Sequence, residues 1–208
     1  IRYAALLKAQ GAARVTVHCH PVLAALVARV AGVDQVVTRL EDCGPHDHWV
    51  MLLDLPGRLG TTLASLPARL PYLRPGPEAV ARWRPRLPAG FKVGLVWRGS
   101  PEQENDAHRS LPGLAALAPL WQVPGVQFIS LQKGAGEAEA RLALPAQPLT
   151  ALGHAFEDFD DTAAVVSQLD LVITVCTSVA HLAGGLGQPT WVLLPALTTD
   201  WRWLLDRS

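Results

Sequence analysis

The stretch 170–195, DLVITVCTSVAHLAGGLGQPTWVLLP, allows few folds. Residues 171–175 are apolar, apart from Thr174, at successive rather than alternate positions, the pattern of a strand buried on both faces in a parallel sheet. Neither Gly nor Pro separates this strand from the helical pattern that begins at Ser178, so the chain passes from strand to helix through Cys176 and Thr177. The helix is expected over 178–186, with Gly187 ending it and a further strand at 190–194. Thr177 or Ser178 can cap the helix through a hydroxyl. The remaining N–H groups and the helix dipole favour an anion there. In open α/β sheets, ligands sit beyond the carboxyl ends of strands, so a diphosphate fits this turn in both place and charge. His181 falls in the first helical turn, and Ala183, Gly184 and Gly185 keep the helix slim enough to lie close to a sheet or ligand. Spacing alone is equally compatible with Ser178 as a simple cap and His181 as an ordinary helix residue.

The same alternation of strand and helix runs along the rest of the chain. Strands are expected at 14–18, 33–38 and 48–53 (HWVMLL), with helices at 21–30 and 57–66. Residues near Tyr3, Leu6 and Leu7 read as a helix at the very start. Proline- and glycine-rich segments at 70–77 and 84–90 then flank Trp83 and mark a boundary near Ala89. After it the pattern restarts, with strands at 91–97, 126–131 and 171–175 and helices at 111–120, 136–142 and 161–169. A short helix is expected at 201–205. This is an α/β chain whose strands form parallel sheets with helices on both faces. Two domains follow, 1–88 and 89–208, sharing an architecture but no internal repeat.

Half of the 208 residues are hydrophobic, enough for one large core or two small ones. The formal net charge of +0 argues against a nucleic-acid binder driven by bulk charge. Three cysteines without a CxxC pair read as reduced thiols. No apolar run approaches the roughly 18 residues that span a bilayer, and no signal peptide is visible. The expected location is the cytoplasm, with room for peripheral attachment to the inner membrane. The chain begins at Ile1 without Met, which reads as the start of a fragment.

Several segments carry a family resemblance: FKVGLVWRGSPEQENDAHRSLP (91–112), FISLQKG (128–134), 156–195 and DWRWLLD (200–206). RYAALLKAQGAARV (2–15) and LGTTLASLPARLPYL (59–73) add to it. Together they resemble family 9 glycosyltransferases, the ADP-heptose:lipopolysaccharide heptosyltransferase group. They are most similar to glycosyltransferase-like domains fused to tetratricopeptide repeats in bacteria. The resemblance implies a GT-B architecture, with two Rossmann-like domains facing a cleft and the N-terminal one incomplete. It also implies a nucleotide-sugar donor on the C-terminal domain, an acceptor on the N-terminal side, no cofactor or bound metal, and inversion at the sugar. The acceptor, a lipid-linked saccharide or a protein, is not specified. By the same resemblance, Thr177, Ser178 and His181 match the diphosphate-binding turn, and Arg109 a basic residue near the phosphates. Trp97, Arg98 and Gly99 line the cleft, Lys133 and Gly134 approach the base or ribose, and Glu137 holds a ribose hydroxyl. Two departures stand out. Cys176 occupies the place of the family's Asp before Thr-Ser. The family's N-terminal strand and glycine loop, with the acidic residue taken as base, lie upstream of Ile1, so no catalytic base is assigned.

Other residue clusters have plainer readings. Glu102, Glu104, Asp106 and His108 belong to a solvated loop, with Arg109 set apart because a guanidinium suits bidentate phosphate contact. His18, His20, His46, Asp47, His48, Cys19 and Cys43 lack the spacing of a metal site. Asp158, Asp160 and Asp161 supply favourable negative charge ahead of the helix at 161–169. Trp201 and Trp203 are packing residues, and Thr198, Thr199 and Asp200 are candidate sugar contacts. The main expectation is a metal-independent transferase, of hexosyl or heptosyl type, moving a sugar onto an acceptor hydroxyl. The competing one is a non-catalytic nucleotide- or sugar-binding module of a larger repeat protein. A nucleotide-sugar epimerase or hydrolase on the same architecture is a weaker third.

Overall fold

The computed structural model describes residues 1–142, 148–196, 199–200 and 203. The chain opens with α1 (Ala4–Ala9) and a βαβ unit of β1 (Thr16–His18), α2 (Pro21–Val27) and β2 (Gln35–Val37). Pro21 takes the first position of α2, where its missing N–H sacrifices no helical bond. β1 and β2 pair in parallel, Val17 opposite Val36. Two further helices, α3 (Leu55–Arg58) and α4 (Pro77–Trp83), lead to the larger sheet.

That sheet is built from β3 (Phe91–Val96), α5 (Asp106–Arg109), β4 (Val126–Ser130), α6 (Glu137–Arg141), β5 (Leu149–Ala151), α7 (Phe159–Val166), β6 (Leu171–Val175), α8 (Ser178–Leu186) and β7 (Thr190–Leu193). Its strands are all parallel, in the order β5-β4-β3-β6-β7. The first strand of the unit therefore sits at the centre, with the second and third on one side and the fourth and fifth on the other. This is the doubly wound order, and the chain reverses direction across the sheet between β3 and β6.

Strand periodicity divides the core into two layers. Val93, Leu95 and Trp97 point into one cluster with Leu114, Leu117, Phe128 and Ile173. Val96, Ile129 and Val172 point into the other, which contains α7, α8, Trp83 and Phe156. Both faces are covered, so the strands read as continuous apolar runs. Gly94 leaves room for the leucines packed over the strand: a Cβ there would lie 2.5 Å from Leu169 Cδ1 and 2.8 Å from Leu131 Cδ1.

The first turn of α7 joins the two parts of the chain. Asp158 is the N-cap and accepts from the N–H groups of Asp160 and Asp161 at 2.8 and 3.0 Å. The helix thus begins at Phe159, earlier than expected, and the three acids do more than supply negative charge. Asp160 takes a two-pronged contact from Arg29, beyond α2, at 2.8 and 3.1 Å, and the Gly76 N–H at 2.9 Å. The Asp161 side chain is 3% exposed. It accepts from the Trp83 indole at 2.6 Å, Arg82 at 2.5 Å and the Glu157 N–H at 2.9 Å. Burial alone would push this carboxyl up, but the bonds from Trp83, Glu157 and Arg82 outweigh it and hold it below the ordinary carboxylate value.

Several expected elements differ. Residues 48–53 form no strand, and Trp49, Met51, Leu52 and Leu53 are exposed. A strand needs a neighbour, and β1 bonds only β2 among the described residues. The helix expected at 57–66 is reduced to α3. The helix expected at 111–120 is instead a 3₁₀ segment, Leu114–Gln122, with Pro119 inside it, where the ring would clash with the carbonyl four residues back in an α-helix. Of the terminal helix at 201–205, only Trp203 lies within the described residues.

Candidate functional site

A crevice of about 640 Å³ opens at the carboxyl ends of β3, β4 and β6. It lies at the point where strand order reverses, the place open α/β sheets keep for ligands. Arg98 and Gly99 line it after β3, Gln132, Lys133, Gly134 and Ala135 after β4, and Thr177 and Ser178 after β6. Arg109 from α5 and Asp158 and Thr162 from α7 complete much of the wall, and Val22 reaches it from α2.

Arg109 is fixed by several bonds. Its Nη1 donates to the Cys176 carbonyl at 3.0 Å and its Nε to Asp106 Oδ1 at 3.2 Å. The Ser110 hydroxyl donates to the same carboxylate oxygen at 2.7 Å and accepts from the Gly99 N–H at 2.8 Å. A Cβ on Gly99 would come within 2.5 Å of Arg109 Nη2, so glycine makes room for the guanidinium. Arg109 therefore bridges the ends of β3 and β6, with its fork oriented before any ligand arrives.

At the end of β6, Thr177 is the N-cap residue of α8 by position but makes no side-chain cap bond. The Thr174 hydroxyl donates to the Val175 carbonyl at 2.8 Å, so in the 3.2 Å contact between the two threonines Thr177 is the donor. The expected hydroxyl cap is thus not made. The first N–H groups of this nine-residue helix meet the crevice without a side-chain cap, which suits an anion.

Gln132 was not singled out from the sequence, yet it ties two walls together. It is 2% exposed. Its Oε1 accepts from the N–H groups of Trp97 and Arg98, both at 3.0 Å. Its Nε2 donates to the carbonyls of Arg98 and Ala135 at 3.0 and 2.7 Å. The only hint in the sequence is a polar residue directly after an apolar strand, a common pattern. Lys133 donates to the Phe156 carbonyl at 2.6 Å. Arg98 pairs with Glu139 at 3.0 Å and bonds the Pro112 carbonyl.

The remaining expected residues lie elsewhere. Trp97 does not line the crevice: strand alternation turns it into the core with Val93 and Leu95, and it is 0% exposed. Glu137 accepts from the Gly134 N–H at 3.2 Å, closing its own turn. His181 borders a second cavity of about 330 Å³, with Arg2, Tyr72 and Trp203, and does not line the crevice. Its ring stacks on Trp203 at 5.3 Å between centroids. The Trp203 indole in turn donates to Cys176 Sγ at 3.2 Å. Thr199 donates to the Pro195 carbonyl at 2.6 Å, while Thr198 and Trp201 lie outside the described residues. Among the described residues no three His, Cys, Asp or Glu side chains converge as a metal site. Among them, too, no helix is long and apolar enough to cross a membrane.

No protein-family model matches the chain. Protein FlbA of Caulobacter vibrioides is 32% identical over 164 residues, covering 76% of this chain and 27% of FlbA. The chain thus spans about a quarter of the length of that curated relative. Among solved structures, E. coli ADP-heptose LPS heptosyltransferase II aligns over 92% of this chain and 78% of its own length, with a TM-score of 0.62 and 11% identity. A second, E. coli heptosyltransferase WaaC with ADP-2-deoxy-2-fluoro heptose, covers 76% of this chain and 49% of its own at TM-score 0.44, too low to carry weight. The chain shares the GT-B-type α/β fold of heptosyltransferase II.

Proposed function

We propose that this chain is the core of a metal-independent glycosyltransferase that binds a nucleotide-diphosphate sugar in the crevice between β3 and β6. In this reading, residues 89–208 hold the donor and residues 1–88 belong to the acceptor side. An acceptor hydroxyl oxygen attacks the anomeric carbon of a hexosyl or heptosyl donor. The bond from that carbon to the diphosphate breaks, and negative charge grows on the departing phosphate oxygen. Arg109 and the α8 N-terminus are set to stabilise that charge, which is catalysis by preorganised electrostatics. Thr177 and Ser178 flank the diphosphate, and Arg98, Gly99, Lys133 and Gly134 contact the nucleotide. The chain would work in the cytoplasm as part of a longer, repeat-bearing protein, on a saccharide or protein acceptor.

One observation carries the reading: Arg109 is held across the strand ends by Cys176 and Asp106, beside a helix N-terminus that no side chain caps. The test is a titration with ADP, UDP, GDP and their sugars, followed by release of nucleoside diphosphate from each sugar. The full-length protein should bind and turn over at least one donor, and Arg109→Ala should abolish turnover. Failure of every nucleotide to bind would sink the proposal.

A second reading, a non-catalytic nucleotide- or sugar-binding module, is favoured by Cys176. Where the resembling family has a carboxylate, this chain has a thiol whose sulfur accepts from Trp203. Binding of a donor without turnover, with or without an acceptor, identifies this case.

A further inference from the structure

The β3–β4 ladder ends just before the crevice. Leu95 pairs with Ser130, and the Leu131 N–H still donates to the Leu95 carbonyl at 3.0 Å. Beyond that point the two backbones no longer bond one another directly, and the Gln132 side chain takes over. Its carboxamide replaces the missing rungs, receiving two N–H groups from the β3 side and donating to the Arg98 carbonyl on that side and, on the other, to the Ala135 carbonyl at 2.7 Å, with a longer contact to the Lys133 carbonyl at 3.4 Å. A primary amide has two donor hydrogens and two acceptor lone pairs, so this group is fully used. No other amino acid of that length offers both functions at once. The far side of Gln132 is constrained as well: a Cβ on Gly153 would stand 1.9 Å from the Gln132 carbonyl oxygen.

We infer that Gln132 is a positioning residue for the donor site, setting the separation between the Arg98–Gly99 wall and the Lys133–Ala135 wall. It acts through the backbone it holds, without itself carrying the ligand's charge. The inference rests on the proposed donor-binding role and adds a determinant to it. Buried amide networks of this kind are rigid when every member is satisfied and costly when one is lost. Gln132→Glu keeps the length and the acceptors but removes both donors facing the carbonyls of Arg98 and Ala135.

The test uses the intact protein with ADP, UDP and GDP as separate probes. Wild type is expected to bind at least one of them. Gln132→Glu, verified as folded by near-UV circular dichroism, is expected to weaken that binding by roughly tenfold. Gln132→Asn, one methylene short of reaching both walls, should do the same. A second readout needs no variant: hydrogen exchange in the wild type should show the Trp97 and Arg98 amides protected although they lie beyond β3. Unprotected amides overturn the inference, as does wild-type affinity in both folded variants. If the wild type binds none of the nucleotides, the donor-binding reading itself fails and the inference falls with it. That outcome is distinct from binding that ignores Gln132.

Discussion

The guanidinium of Arg109 donates to the main-chain carbonyl of Cys176 across 3.0 Å, linking the helix after β3 to the turn after β6. Between these strands the sheet reverses its order, so the contact spans the mouth of the crevice. It also places the side chain's position under the control of a backbone atom, which the identity of residue 176 does not alter. The thiol of Cys176 faces Trp203 instead. The turn can therefore keep its binding geometry with a cysteine in it.

Arg109→Ala should weaken nucleoside diphosphate binding by at least about tenfold, the scale of one lost charge-assisted hydrogen bond. Arg109→Lys should recover only part, because an ammonium cannot reproduce the planar fork that spans Asp106 and Cys176. Isothermal titration calorimetry of both variants checks this.

His181→Ala should leave affinity for the bare nucleoside diphosphate within about threefold of wild type, since His181 borders the neighbouring cavity. Its effect should appear at Trp203, whose ring it covers, as a change in indole fluorescence. A tenfold loss of nucleotide affinity would place His181 in the diphosphate site after all.

Asp161→Ala should cost about 2–3 kcal/mol in a chemical-denaturation series, because it leaves the buried Trp83 indole and the Glu157 N–H without their acceptor. Arg82 contributes little of this, its side chain being 57% exposed and screened by solvent.

The same carboxyl predicts a pH dependence. Its folded pKa lies below the unfolded value, so its stabilisation is complete above the ordinary carboxylate pKa of about 4. It is lost as pH falls from there through the depressed folded value. The denaturation midpoint of the wild type should drop across that acid window, and Asp161→Asn should flatten the drop. Equal acid slopes in the two proteins would refute the assignment.

Gly153→Ala should destabilise the fold by the upper end of about 1–3 kcal/mol, since the new methyl meets backbone that cannot rotate aside. Thermal unfolding followed by circular dichroism measures it.

Much of the sheet was readable from local pattern. The strands at 91–97 and 171–175 declare themselves through apolar runs interrupted only by Lys92 and Thr174, and α8 through its abrupt start and Gly187, whose φ of +74° closes it. The segment 48–53 carries an equally strong apolar run and forms no strand. A run of apolar residues states a need for burial, whereas a ladder also requires a partner edge. The Pro119 segment misled for the opposite reason, its helical periodicity being right and its hydrogen bonding wrong.

For the candidate site, the sequence by itself determined the strand–turn–helix at Thr177 and Ser178 and brought Arg109 into consideration. Both follow from short-range rules: hydrophobic period, helix initiation and the chemistry of a side chain. Only the tertiary structure decided that Arg109 and the turn share one crevice, that Trp97 packs inward, and that His181 faces another cavity. It also decided the work of Gln132, Asp160 and Asp161, whose partners lie far along the chain. A buried polar group is explained by what satisfies it, and that partner is known only once the chain has brought distant backbone and side chains together.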